Sequence, residues 1–176
     1  HLIEFLISTN KPVLLSTGAS SVPEIDFSVN LLKSNLVDFA LLQCTSCYPA
    51  SLNSLNLDVI PFLNKKYNVP VGFSDHSIDP IIAPIVAVSL GARVIEKHFT
   101  INKKLDGPDH SYALEPEQLK KMVDAIRNVE LVKGKKNKEI IPEERDLALF
   151  ANRSLQTTKY VKKGEIFKEG KNFNIL

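Results

Sequence analysis

The sequence predicts an α/β protein, a parallel sheet with helices between its strands, followed by a small β-rich module. Three observations carry this reading. Four short runs are apolar on both faces, as strands covered on both sides are. Segments of helical periodicity separate them. Equivalent points in the runs, Leu14, Leu41, Val71 and Ile95, lie 27, 30 and 24 residues apart.

Each run ends in a cluster of small or polar residues. Residues 13–15 lead into Ser16-Thr17-Gly18, residues 39–42 into Gln43-Cys44-Thr45, residues 69–72 into Ser74-Asp75-His76, and Val94-Ile95 into Glu96-Lys97-His98. The first helix opens with Ser21-x-x-Glu24, a capping-box pattern, and aligns Ile25, Val29 and Leu32. The second places Val59, Ile60, Leu63 and Tyr67 together, with Pro61 close enough to its start to be tolerated. The third is expected over residues 80–90, stopping at Gly91. The fourth starts at Pro116, stacks Leu119, Met122, Val123, Ile126 and Val129, and ends near Gly134.

A (β/α)8 barrel has about 250 residues, about 30 per unit, so four units amount to half of one. Residues 1–134 are therefore read as the C-terminal half of a (β/α)8 TIM barrel, the other half preceding His1. A doubly wound open sheet gives the same alternation, and no G-x-G-x-x-G occurs to select it. The chain opens on His1 rather than Met and enters an apolar stretch at residues 2–7, as a piece of a longer protein would. The charge run from Lys133 to Lys138 reads as solvated, and residues 135–152 as a linker. From Arg153, alternation around Lys162-Lys163-Gly164 predicts short strands and a turn, so residues 153–176 read as a truncated second module. A half-barrel alone would bare two strand edges and an apolar interior, inviting aggregation.

Composition narrows the partners. With 22 Lys+Arg against 20 Asp+Glu, the formal charge of +2 provides no field to gather polyanions or anionic lipid. The apolar stretch at residues 81–90 contains Pro84 and Ser89 and falls short of the ~20 residues of a membrane span. Neither nucleic acid nor membrane is expected as a partner. Two cysteines make no disulfide framework and no leader pattern opens the chain, so a reducing cytoplasm is the default expectation.

In both α/β architectures the active site forms at the carboxyl ends of the strands. All four polar clusters fall there, which points to an enzyme. Strand side chains alternate, so Glu96 and His98 should share a face, as should Ser74 and His76. Two imidazoles at neighbouring strand mouths, with a carboxylate or open water positions, suit a divalent ion such as Mn²⁺, Fe²⁺, Co²⁺ or Zn²⁺. Their spacing is no compact metal motif, and two ordinary hydrogen-bonded histidines remain the alternative. Ser16, Thr17 and Gly18 offer donors to a phosphate or form a plain turn. Asp109, in Gly107-Pro108-Asp109-His110, accepts sugar hydroxyls or serves a turn. Cys44-Thr45-Ser46-Cys47 matches C-x-x-C, but Tyr48-Pro49 follows and no second pair completes a zinc site. Lys97 should point away from Glu96 and His98, into an ion pair rather than a Schiff base.

Taken in order, these clusters resemble the sialic acid synthase family, which condenses phosphoenolpyruvate with N-acetylmannosamine or a related amino sugar. The matching pieces are Leu-Ser-Thr-Gly at 15–18, Leu-Gln-Cys-Thr-Ser-Cys-Tyr-Pro at 42–49, Gly-Phe-Ser-Asp-His at 72–76, Val-Ile-Glu-Lys-His-Phe-Thr at 94–100, Gly-Pro-Asp-His at 107–110, Ser-Tyr-Ala-Leu-Glu-Pro at 111–116 and Arg-Ser-Leu at 153–155. The resemblance implies a TIM barrel followed by an antifreeze-like (SAF) domain, in a domain-swapped homodimer. It implies that His76 and His98 hold a divalent metal, Mn²⁺ foremost with Mg²⁺ or Co²⁺ as alternatives. Ser16 and Ser74 would contact phosphoenolpyruvate, and Tyr48, Asp109 and Ser46 the amino sugar. Ser46 stands where some members have Asn. The implied reaction joins the phosphoenolpyruvate methylene to the sugar aldehyde, hydrates the cationic C2, and expels phosphate to give a nine-carbon 2-keto acid. Glu96 is the candidate to position water or handle its proton. The lysine and acidic residues of the first barrel half are absent from these residues, so this chain alone is expected to be inactive. Sialic, legionaminic and pseudaminic acid synthesis all fit, with His110 leaning towards the first two. A non-catalytic carbohydrate-binding barrel and a Lys97 aldolase are the competing readings.

Overall fold

The computed structural model describes residues 1–175, which divide into two compact units, residues 1–134 and residues 135–175. The first holds helix α1 (Leu2–Ser8), strand β1 (Val13–Ser16), α2 (Val22–Ser34), β2 (Phe39–Cys44), α3 (Val59–Tyr67), β3 (Val71–Asp75), α4 (Ile82–Ser89), β4 (Ile95–Lys97) and α5 (Pro116–Lys133). The four strands form one parallel sheet in the order β1-β2-β3-β4, with no reversal.

The distribution of the core decides between the two architectures left open by the pattern. Leu41, Val71 and Phe73 pack with Ile25 and Val29 of α2, Ile60, Leu63 and Tyr67 of α3, and Ala83 and Ala87 of α4, with Leu15 and Ile95 against them. All three crossover helices thus cover one face, whereas a doubly wound sheet is covered on both. The opposite face carries the alternate residues, from Leu14 and Ser16 on β1 to Glu96 on β4. Leu14 is 58 % exposed there. This is the wall of a half-barrel with its inner surface open. β1 pairs only with β2 and β4 only with β3, so both outer edges of the sheet are free along their described residues.

Local chemistry sets the element ends. Glu24 accepts a hydrogen bond from the Ser21 N–H at 2.7 Å, as the capping pattern anticipates. The third strand begins at Val71 rather than residue 69, because Pro70 has no N–H to donate and contributes only its carbonyl, to Leu41 N–H at 3.1 Å. It runs on to Asp75, so Ser74 is a strand residue. The expected helix over 80–90 is trimmed to α4, with Asp79 Oδ1 accepting from the Ile81 and Ile82 N–H groups at 2.8 and 2.6 Å. Helix α1 occupies the apolar opening, for which no helix was anticipated.

In the second unit, residues 135–152 are more than a linker: they hold a 3-10 turn (Pro142–Glu144) and helix α6 (Arg145–Ala151). Strands β5 (Leu155–Thr157) and β6 (Phe173–Ile175) pair antiparallel, while the alternating segment 165–167 is not a strand. Phe167 and Phe173 meet edge to face with ring centres 5.9 Å apart. No helix among the described residues is long and apolar enough to cross a membrane.

Gly72 lets the wall close. A Cβ there would lie 2.5 Å from the Val94 carbonyl oxygen and 2.6 Å from Leu42 Cδ2, and the first is backbone that cannot step aside. Gly72→Ala is expected to lower unfolding free energy by about 1–3 kcal/mol, read from the urea midpoint. An unchanged midpoint would show that the strands separate at no cost.

Candidate active site

The inner face acquires its chemistry where β3 and β4 end. Ser74 is in register with Glu96 and Cys44, and Asp75 with Lys97. Alternation therefore sends Ser74, His76, Glu96 and His98 to the open inner face and Asp75 and Lys97 to the helix side. Ser74 Oγ donates to Glu96 Oε1 at 2.7 Å. The rings of His76 and His98 lie 5.3 Å apart, steeply inclined at 72°. Residues 74–76 and 96–98 together line a cavity of about 210 Å³ at the strand ends, where the Asp75 and Lys97 side chains are themselves almost fully buried.

Each imidazole is oriented from behind. His76 Nδ1 lies 2.8 Å from the Thr45 carbonyl oxygen. A carbonyl only accepts, so Nδ1 carries the hydrogen and Nε2 keeps its lone pair free. His98 turns Nδ1 towards Asp109 Oδ2 at 3.8 Å, a contact longer than a hydrogen bond. A carbonyl partner of the kind that His76 has fixes the ring of a metal-binding histidine; for His98 the carboxylate is only nearby. Metal–nitrogen bonds of about 2 Å place two rings sharing one ion about 5 Å apart, which the observed separation meets. No cluster of three or more His, Cys, Asp or Glu side chains that could hold a metal ion forms among the described residues.

A second layer of residues surrounds the pair. Tyr48 lies over His76 with ring centres 4.2 Å apart and meets His98 at 6.0 Å. Tyr112 closes the far side, 5.3 Å from the His98 ring, and its hydroxyl donates to Asp109 Oδ1. Tyr112 arrives through a small ladder: Leu114 N–H donates to the His98 carbonyl and Thr100 N–H to the Leu114 carbonyl, both at 2.8 Å. Those bonds run residues 112–114 alongside the exit of β4 and tie down the loop bearing Asp109. Burial and the neighbouring Asp109 carboxylate push the Tyr112 phenol up to about 12. His110 is taken up structurally, its Nδ1 2.8 Å from Thr100 Oγ1.

Not every residue singled out in the sequence joins this cluster. Ser16 is exposed on the inner face of β1, in register with Leu42, one alternation below the level of Ser74. Ser46 is exposed and lies against Gly18, where a Cβ would strike its hydroxyl and Cys44 Sγ. Cys44 Sγ approaches His76 Nδ1 at 3.9 Å, and Cys47 is exposed; both thiols are free. Lys97 points away, as alternation requires, and pairs with Asp75 at 2.7 Å, both side chains almost fully buried. The aldolase reading therefore loses its nucleophile, because this ammonium is engaged on the helix side. Burial lowers the Lys97 pKa, opposed by the Asp75 carboxylate. Sequence reasoning missed Tyr112, the Thr45 carbonyl and the partner of Lys97. Only the last left a signal, since Asp75 and Lys97 sit between residues already assigned to the opposite face.

The NeuB family model matches residues 1–138. The chain belongs to the NeuB family. Among NeuB relatives, it is 40% identical over 164 residues to N,N'-diacetyllegionaminic acid synthase of Campylobacter jejuni, covering 92% of this chain and 49% of that protein. It is 38% identical over 170 residues to pseudaminic acid synthase of the same species, covering 96% and 49% respectively. The crystal structure of N-acetylneuraminic acid (sialic acid) synthetase from Leptospira borgpetersenii superposes with a TM-score of 0.78 at 35% identity, covering 85% of this chain and 52% of that one. This NeuB chain spans about half the length of the curated relatives it matches.

Tyr112→Phe removes the donor to Asp109 and is expected to cost about 1 kcal/mol of stability at neutral pH. A raised phenol pKa stabilises the fold fully below the unfolded value near 10, and that contribution is lost as pH rises towards 12. The stability gap between the parent and Tyr112→Phe, measured by urea unfolding, should therefore narrow from pH 9 to about pH 12. A gap that widens with pH would refute the assignment.

Proposed function

We propose that this chain supplies the metal-bearing half of the active site of a nonulosonate synthase, an enzyme that joins phosphoenolpyruvate to an N-acyl amino sugar with release of phosphate. The observation that carries the reading is the pair of imidazoles on one face, 5.3 Å apart, with the Nδ1 atom of His76 spent on the Thr45 carbonyl. His76 and His98 would hold a divalent ion, Mn²⁺ foremost. Such an ion supplies Lewis-acid polarisation of a carbonyl oxygen.

The protein's own groups have separate tasks around it. Tyr48 and Asp109 flank the imidazoles and would receive the amino sugar, Tyr48 through its ring and Asp109 by accepting hydroxyl hydrogens, with Ser46 beyond them. Tyr112 holds Asp109 facing His98. Ser16 and Ser74 would face phosphoenolpyruvate. The Ser74 hydroxyl is already donated to Glu96, so an anion arriving there must take that donor, which frees a Glu96 oxygen to accept a proton from water. In the overall reaction a carbon–carbon bond forms between the phosphoenolpyruvate methylene and the sugar aldehyde carbon. Water captures the positive charge on C2, and loss of inorganic phosphate from that carbon leaves the 2-keto acid.

The legionaminic and pseudaminic relatives match this chain at similar identity, and the sugar is assigned only as an N-acyl amino sugar. The second unit is proposed as the start of an antifreeze-like domain and the whole protein as a homodimer, on the resemblance at Arg153-Ser154-Leu155.

In the full-length protein, phosphate release from phosphoenolpyruvate should require both an N-acyl amino sugar and Mn²⁺. His76→Ala and His98→Ala should each lower it at least about a hundredfold, since several kcal/mol of charge stabilisation is lost at about 1.4 kcal/mol per tenfold. Undiminished release in either variant overturns the assignment. Sugar binding with no phosphate release at all would favour the non-catalytic barrel.

A further inference from the structure

The back of the same sheet carries a buried cluster that the proposed chemistry does not use. Lys97 Nζ donates to Asp75 Oδ2 at 2.7 Å, to the Ser77 carbonyl at 2.5 Å and to the Asp79 carbonyl at 3.3 Å, with Ser77 Oγ also at 3.3 Å. Asp75 Oδ1 accepts from the Ser77 N–H at 2.7 Å. The two side chains are 0% and 3% exposed. Stability alone is a poor reason for this arrangement, because a buried ion pair often contributes no more than an apolar pair of similar volume. Its position is more telling. Asp75 lies between Ser74 and His76, Lys97 between Glu96 and His98, and the two are in register across the β3–β4 seam. The ammonium also gathers the first turn of chain after β3, which leaves the sheet at His76.

We propose that Asp75 and Lys97 form a positioning clamp on the reverse face that holds His76 and His98 at the separation needed to share one ion. The assignment of an ion to these imidazoles rests on the functional reading above; the clamp itself rests on the contacts. A slip of either strand by one residue at this seam would send that strand's imidazole to the helix side and part it from the other. The ion pair penalises such a slip, because it would part Asp75 from Lys97 and leave a buried charge without its partner. Splaying of the strand ends is opposed in the same way, since it must break the bonds from Lys97 to the Ser77 and Asp79 carbonyls. Asp75 and Lys97 are thus positioning residues and do not touch a ligand.

The test is the double variant Asp75→Leu/Lys97→Met in the full-length protein, with two readouts. One is the imidazole ¹H–¹⁵N spectrum without metal; the other is Mn²⁺ binding by electron paramagnetic resonance titration. With the helix content retained by circular dichroism, the His76 and His98 resonances should shift and Mn²⁺ affinity should fall at least about tenfold. Unchanged imidazole resonances and unchanged Mn²⁺ affinity in the folded variant overturn the clamp. Shifted resonances with no Mn²⁺ binding even in the unaltered protein support the clamp and refute the metal reading. If the double variant does not fold, Asp75→Asn, which keeps an acceptor for the Ser77 N–H, is read by the same two measurements. Parent-like values in both overturn the proposal, and displaced ones support it.

Discussion

The parallel pairing of β3 with β4 is the constraint on which the site depends. Three residue pairs, Phe73 with Ile95, Ser74 with Glu96 and Asp75 with Lys97, set both faces at once. The first is the apolar contact that seats the helices, the second the hydrogen-bonded pair of the inner wall, the third the ion pair behind it. A parallel ladder is evenly spaced, so fixing any one of these fixes the others. The imidazoles that follow on each strand inherit their common side from this register and need no separate device to bring them to the same face.

Packing enforces the register in two directions. Phe73 is fully buried beneath the crossover helices, and Gly72 next to it lets neighbouring backbone come closer than any side chain would allow. The helix side thus behaves as a dense, apolar layer of Leu41, Val71 and Phe73 into which the Asp75–Lys97 couple and the amide of Gln43 have been set. The inner face is built to the opposite rule, with small and polar groups at its mouth and oriented rings above them. Fold and candidate site are in this sense two faces of one strand pattern.

Much of this was legible in the sequence because it is periodic. The alternation Ser74-Asp75-His76 and Glu96-Lys97-His98 placed each side chain on its face, and Ser21 with Glu24 marked a helix start. The spacing of the strands could not separate a barrel wall from an open sheet, since both repeat a βα unit; only the gathering of Ile25, Ile60 and Ala83 on one side does so. Residues 69 and 70 read as strand because they are apolar, although Pro70 lacks the N–H a ladder requires. Tyr112 was invisible for a different reason. It reaches His98 through a pairing of segments 98–100 and 112–114 that has no periodicity, and Thr45 acts through a carbonyl that every residue possesses. Helix α6 was hidden in a charged segment, where Leu147, Leu149 and Phe150 remain exposed and give no amphipathic stripe.

The short ladder that joins Phe99 to Leu114 divides the intervening excursion into a fixed base and a free crown. Asp109, His110 and Tyr112 belong to the base, each anchored by a bond to a residue of the strand exit or of the base itself. Residues 104–106 belong to the crown, where the backbone is held by turn bonds from Lys104 and Leu105 to Asn102. Changes of length or polarity in the crown can therefore accumulate without unseating the groups beneath, which makes this loop the cheapest place for such an architecture to vary beside its site.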